Sequence, residues 1–255
     1  MPAIYRSGIC EFLGQNEDAI IGRLSAVASG AFTELTSEQL EAWRQQIRLL
    51  RSALSPLSDK NLHLLLEYPI PRRGKRIDAV IIGGGPILVI EFKCGAQFYD
   101  QQARIQVEDY CLDLRDFHRA SRDRILVPIL VATRAVGRDA PTNDVADSIA
   151  PIWCANSDSL GRVLTEAFER YSHQARDLID PELWDNADYA PTPTIIEAAR
   201  TLYEGQNVRE ISRCHAGAAN LTKTSAAVIS AIQDARRDEC KLICFVTGVR
   251  LPGSS

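Results

Sequence analysis

From Leu62 onward the hydrophobic pattern breaks into three short runs. Leu62–Ile70 is rich in apolar residues and is closed by Pro69 and Pro71, while Ile77–Ile82 and Ile87–Phe92 are apolar and β-branched. Arg72-Arg73-Gly74-Lys75 and Gly83-Gly84-Gly85-Pro86 separate them, and both read as turns. Connections this short favour antiparallel neighbours, so a three-stranded meander is predicted.

Helical spacing appears on both sides of these runs. Residues 17–29 and 37–54 are amphipathic, and Leu40, Trp43, Ile47, Leu50 and Leu54 recur on one face of the second, with Thr36 or Ser37 as its cap. Gln97–Ala120 predicts a helix after the meander. Ile125–Thr133 predicts a strand whose Pro128 points to an edge position or a bulge. A polar loop over 134–148, a short strand over Ile149–Ala155 and a helix over Leu160–Ala175 follow. This order predicts an α/β layer with a mixed sheet and helices on its faces, over residues 1–176. Residues 177–194, with Pro181, Pro191 and Pro193, read as a linker. Beyond it, 195–255 reads as a small α/β segment: helices over Thr194–Tyr203 and Ala219–Arg236, then an apolar strand over Lys241–Thr247. That strand needs a partner, so a homo-oligomer or a poorly ordered C-terminus is expected.

Composition narrows the picture little. The chain has 255 residues, is 45% hydrophobic and 24% charged, and carries a formal net charge of -4. That is ordinary for a soluble globular protein and gives no global basic field, so any affinity for nucleic acid must come from a local patch. Two such patches exist: Arg72, Arg73, Lys75 and Arg76 in one turn, and Arg115, Arg119, Arg122 and Arg124 further on. Each can cradle phosphates or merely solvate its element. The N-terminus lacks the pattern of a signal peptide, and no run reaches the length of a membrane span. The seven cysteines form no CxxC pair, and the four histidines share no ligand spacing, so a cytoplasmic protein without a zinc site is expected.

The candidate chemistry lies in the meander. If the first turn centres on Arg72 and Arg73, residues whose numbers sum to 145 face each other and Glu67 lies opposite Asp78. Asp78 and Glu91 fall on adjacent strands, where two carboxylates repel unless a proton or cation separates them. A hard cation such as Mg²⁺ takes oxygen ligands and keeps several waters, so one or two carboxylates suffice. Lys93, two positions after Glu91, points the same way and can act on a water beside a metal-bound phosphate. The plainer alternative is a solvated acid–lysine pair, but Val89, Ile90 and Phe92 make that strand largely buried, and buried charges need partners. For Glu67 the plainer alternative is a cross-strand partner for Arg76 or Lys75. For Gln106 it is simple exposure, and for Tyr110 it is packing.

Asp78, with Glu91-Phe92-Lys93 thirteen positions on, resembles the motif of the PD-(D/E)xK nuclease superfamily, with Ile77 where proline would stand. Gln106-Val107-Glu108-Asp109-Tyr110 resembles the Q-x-x-x-Y element of its RecB-like branch. GKRIDAVI, VIEFK and QVEDYCLDLRDFH are similar to the N-terminal nuclease-like region of bacterial Schlafen-type DNA/RNA helicase proteins, a resemblance that continues through ILVPILVAT and CFVTGV. It implies a restriction-endonuclease-like fold. It also implies a site in which Asp78, Glu91 and the Phe92 carbonyl hold Mg²⁺ or Mn²⁺, with Glu67 a further candidate ligand, Lys93 acting on the attacking water, and the helix of Gln106 and Tyr110 beside it. An acid from the helix before the first strand often joins such sites, and Glu34, Glu38 and Glu41 are the candidates.

The C-terminal strand ends in Thr247-Gly248, as a phosphate-binding loop begins, and Gly253 has the right spacing. Ser254 stands where that motif needs lysine, so ATP hydrolysis by this segment is not expected, and it reads as the first strand of a truncated P-loop ATPase domain. Two functions remain. One is a metal-dependent nuclease acting on DNA ahead of RNA, in nucleic-acid processing or defence against phage. The other is a catalytically silent nucleic-acid-binding or assembly module.

Overall fold

The β-branched runs and their short turns build a six-stranded sheet in the order β1-β2-β3-β4-β5-β6. The strands are β1 Tyr5–Gly8, β2 His63–Ile70, β3 Lys75–Ile82, β4 Ile87–Lys93, β5 Leu126–Ala132 and β6 Trp153–Ala155. This computed structural model describes residues 2–30, 36–70, 74–172, 178–189 and 218–237. Helices α1 Ile9–Gly14, α2 Glu17–Gly30, α3 Ser37–Leu54, α4 Gln101–Phe117, α5 Leu160–Ser172 and α6 Pro181–Asp185 surround the sheet, and α7 spans Ala218–Arg237. The α/β class with a mixed sheet is therefore observed.

The first four strands are antiparallel and the last three parallel. α4 makes the crossover between β4 and β5, as a parallel connection requires. The predicted meander is β2–β3–β4. β1 was not anticipated, because YRSG is too short and polar to read as a strand. The second turn is tight: a Cβ on Gly83 would stand 2.8 Å from the Asn61 carbonyl oxygen, so only glycine fits.

Two apolar cores flank the sheet. One lies under α1, α2, α3 and α5 and takes Leu64, Leu66, Ile81, Leu88 and Ile90. The other lies under α4 and takes Leu65, Val80, Val89, Leu130 and the inner residues Val107, Tyr110 and Leu114 of the helix. Thr36 caps α3 by accepting the Gln39 N–H, and Asp100 caps α4 by accepting the Ala103 N–H.

Pro128 is not at an edge. It lies in β5, between β4 and β6, opposite Val89. Backbone groups of a parallel strand turn to its two neighbours alternately, and the Leu126 N–H bonds the Ser148 carbonyl on the β6 side. Pro128, two residues on, faces the same side. Regular pairing there begins only at Ile129–Trp153, so its missing N–H falls in a gap of the ladder. The same gap shortens β6 from the predicted Ile149–Ala155 to three residues.

The chain divides into a unit of Met1–Pro191 and a unit of Thr192–Ser255. The boundary lies inside the stretch predicted to be linker. The earlier part of that stretch belongs to the first unit, where Ile179 and Trp184 join the α4-side core. In the second unit α7 matches the predicted Ala219–Arg236 helix. The predicted helix at 194–203, the strand at 241–247, with the partner it would need, and the incomplete phosphate loop lie outside the described residues. No helix among the described residues is long and apolar enough to cross a membrane.

Candidate active site

Ladder pairs on both sides of Glu67 keep the sum of 145, with Leu66 opposite Ala79 and Tyr68 opposite Ile77. Glu67 therefore stands across from Asp78 in register. Its own backbone is left-handed, at φ 53°. The side-chain alternation changes phase there: Leu64 and Leu66 pack under α3, whereas Tyr68 and Ile70 pack under α4. A non-glycine residue in that conformation costs about 1–3 kcal/mol and persists only where its surroundings fix it. Here two bonds fix it. The Trp43 indole N–H donates to Glu67 Oε1 at 2.8 Å, and Arg76 Nε lies 2.9 Å from Oε2. Burial raises the Glu67 pKa, and both partners oppose the rise.

Both Glu67 oxygens are thus committed to protein donors, and the structure realises the cross-strand pairing with Arg76 rather than an open ligand position. The partner from α3 is Trp43, not an acid. Glu38 and Glu41 are exposed and Glu34 lies outside the described residues. Periodicity marked Trp43 as core only. The missed signal was chemical: a buried indole N–H requires an acceptor.

Asp78 and Glu91 lie on adjacent strands, and the Glu91 carboxylate is close enough to act on Asp78. The β3–β4 ladder stops at Ala79–Ile90, and beyond it Asp78 Oδ2 accepts the Phe92 N–H at 2.7 Å. Enclosure by protein and the neighbouring Glu91 carboxylate hold the Asp78 pKa well above its ordinary value. Burial raises Glu91 as well, against the pull of Lys93.

Around Glu91 the polar groups close a ring. Lys93 Nζ donates to Glu91 Oε1 at 2.8 Å and to Gln106 Oε1 at 2.9 Å. Gln106 Nε2 donates to the same Glu91 Oε1 at 2.8 Å and to the Tyr110 hydroxyl at 2.7 Å. Gln106 and Tyr110 lie one turn apart on α4, which brings both to β4. Burial pushes the Tyr110 pKa up to about 12, so the phenol stays neutral. The other Glu91 oxygen, Oε2, is buried and has no hydrogen-bond partner among the described residues.

A cation at this place finds donors of the right kind. Asp78 and Glu91 are two crowded carboxylates, and the orphaned Oε2 is a buried acceptor that a cation would satisfy. Among the described residues no group of three His, Cys, Asp or Glu side chains converges as a ligand set. Two carboxylates are enough only for an ion that keeps several of its waters.

The basic turn is only partly visible. Arg72 and Arg73 lie outside the described residues, Lys75 is exposed and Arg76 is held by Glu67. In the later cluster Arg115 pairs with Asp116, and Arg119 lies 3.6 Å from Asp188. Comparison with family models, curated proteins and solved structures finds no match to this chain.

Proposed function

We propose that the chain is a metal-dependent nuclease of the PD-(D/E)xK type, hydrolysing phosphodiester bonds of DNA ahead of RNA. The observation that carries this reading is the ring of Glu91, Lys93 and Gln106 beside Asp78, with Glu91 Oε2 left without a donor among the described residues. The D…ExK and QxxxY motifs and their resemblance to RecB-like and Schlafen-type nuclease regions support it, as does a mixed sheet of the kind a restriction-endonuclease-like fold uses.

Asp78, Glu91 Oε2 and the Phe92 carbonyl would hold Mg²⁺ or Mn²⁺. Such an ion supplies a water of lowered pKa and neutralises charge on the phosphate. Lys93 holds its ammonium at the mouth of the acid pair, where it can orient the attacking water and stabilise the developing oxyanion. Gln106 fixes Lys93 and Glu91 relative to each other, and Tyr110 fixes Gln106. Glu67 positions β2 and Arg76 instead of binding the ion.

A silent nucleic-acid-binding module is the second reading. It is favoured by the lack of a three-residue ligand set among the described residues and by the full commitment of Glu67. Incubation with labelled DNA and RNA in Mg²⁺, Mn²⁺ or EDTA separates the two. Metal-dependent cleavage supports the nuclease; binding that EDTA does not alter, without cleavage, supports the module.

A further inference from the structure

The loops that follow β4 and β5 emerge together at the carboxyl ends of two parallel strands, the side of an open α/β sheet where ligands bind. They are stitched to one another. Gly95 N–H donates to Thr133 Oγ1 at 2.8 Å, Thr133 N–H to the Lys93 carbonyl at 3.3 Å, and Arg134 N–H to the Ala96 carbonyl at 2.9 Å. A third segment braces them, since the Asn156 amide donates to the Ala135 carbonyl. Gly95, at φ 79°, makes the turn that starts the first loop directly after Lys93.

On this rigid base two large apolar side chains stand in solvent. Phe98 is 72% exposed and Val136 is 85% exposed. Between them Tyr99 and Arg138 wall a cleft of about 280 Å³, with the Arg138 guanidinium 5.1 Å from the Tyr99 ring centroid. Arg134 and Arg138 are exposed, and neither is in an ion pair among the described residues. Tyr99 belongs to the α4-side core, but core packing does not account for the exposed Phe98 and Val136. An aromatic face in water, an apolar floor and two unpaired guanidinium groups match a flat π-system that carries a phosphate.

We propose that this cleft is a base-stacking subsite. Phe98 stacks an unpaired nucleobase, and Arg134 and Arg138 take its flanking phosphates. Phe98 lies five positions beyond Lys93 along one braced loop, so the subsite holds the strand next to the bond presented to Asp78 and Glu91. The inference rests on the nuclease reading and deepens it: the preferred substrate has single-stranded or frayed nucleotides beside the cut.

The test uses the full chain carrying Lys93→Met, with Mn²⁺ present, so that oligonucleotides bind while cleavage is slowed by about a hundredfold or more. A single strand containing 2-aminopurine and a blunt duplex are titrated against this chain and against versions with Phe98→Ala, Phe98→Leu or Phe98→Tyr added. Phe98→Ala and Phe98→Leu should weaken single-strand binding by roughly 5- to 150-fold, the range for one base–aromatic stack, and abolish 2-aminopurine quenching. Phe98→Tyr should restore both, and the blunt duplex should respond least. Unchanged affinity and quenching in Phe98→Ala would overturn the subsite while leaving the nuclease reading standing, and would assign the patch to a protein partner. If the Phe98 chain binds neither oligonucleotide, the nuclease reading falls and the subsite with it.

Discussion

The Asp78 carboxylate accepts the Phe92 N–H at 2.7 Å, immediately beyond the last rung of the β3–β4 ladder. A side chain thereby replaces a backbone carbonyl as the acceptor, and the strand end that carries Glu91 and Lys93 is tied to the first acid. Burial and the proximity of Glu91 then make Asp78 hard to ionise. Crowding of this sort is unfavourable in the metal-free protein and is relieved by a cation.

Asp78→Asn should stabilise the metal-free fold. Asp78 and Glu91 both have folded pKa values raised above the ordinary range, chiefly by burial. Their contribution is fully present below the unfolded carboxylate pKa of about 4 and is lost as pH rises through the raised folded values. The melting temperature of Asp78→Asn in EDTA, taken relative to that of the parent at each pH, should therefore rise from about pH 4 upward. Mn²⁺ should raise the melting temperature at neutral pH in the parent alone. Identical pH profiles would show that the pair is not strained.

Lys93→Met keeps the aliphatic stem and removes the ammonium. Gln106 still donates to Glu91 Oε1, so the acid is not orphaned. The variant should fold, bind Mn²⁺ and nucleic acid, and cut about a hundredfold more slowly or worse, as for loss of one transition-state donor. A variant that cuts normally would remove Lys93 from the chemistry and leave a two-acid site.

Gln106→Leu deletes three hydrogen bonds at once, to Lys93, Glu91 and Tyr110. With buried partners left short, urea unfolding should show a loss of about 1–3 kcal/mol. Turnover should drop, because Lys93 loses one of its two anchors. Full stability and full rate would mean that the ring is incidental.

His118 gives a prediction away from the site. The ring is fully buried, with Nε2 3.0 Å from the Trp184 carbonyl and Nδ1 2.7 Å from Ser121 Oγ. A carbonyl only accepts, so Nε2 carries the proton and Nδ1 accepts from the serine. Burial lowers the His118 pKa to about 4. The unfolded chain takes up this proton near pH 6.5, so stability is present above that value and is lost as pH falls towards 4, by on the order of 3 kcal/mol. Denaturant titrations of the parent and His118→Gln across this window check it. The variant should lack that part of the slope.

Much of this site was legible because it rests on local spacing. Asp78 and Glu91 flank one glycine turn, Lys93 follows at strand period, and Gln106 and Tyr110 share one helical turn. Even the sum of 145 held, since a tight hairpin fixes register. What escaped depends on tertiary contacts. The left-handed Glu67 takes its reason from Trp43 and Arg76, which only the packed structure brings together. β1 is stabilised by its pairing with β2 rather than by its own residues, and Pro128 survives in the interior because β6 happens to break beside it. Residues 178–189 look like linker by composition, and the buried Ile179 and Trp184 attach them to the core.

Binding of Mn²⁺ is the most direct test of the two-carboxylate site, read as loss of the free-ion electron paramagnetic resonance signal on titration of protein. The parent should take up the ion at neutral pH, and Glu91→Gln should lose that uptake while its circular dichroism spectrum stays that of the parent. Equal uptake by parent and variant, or none by either, would contradict a metal site built on Asp78 and Glu91.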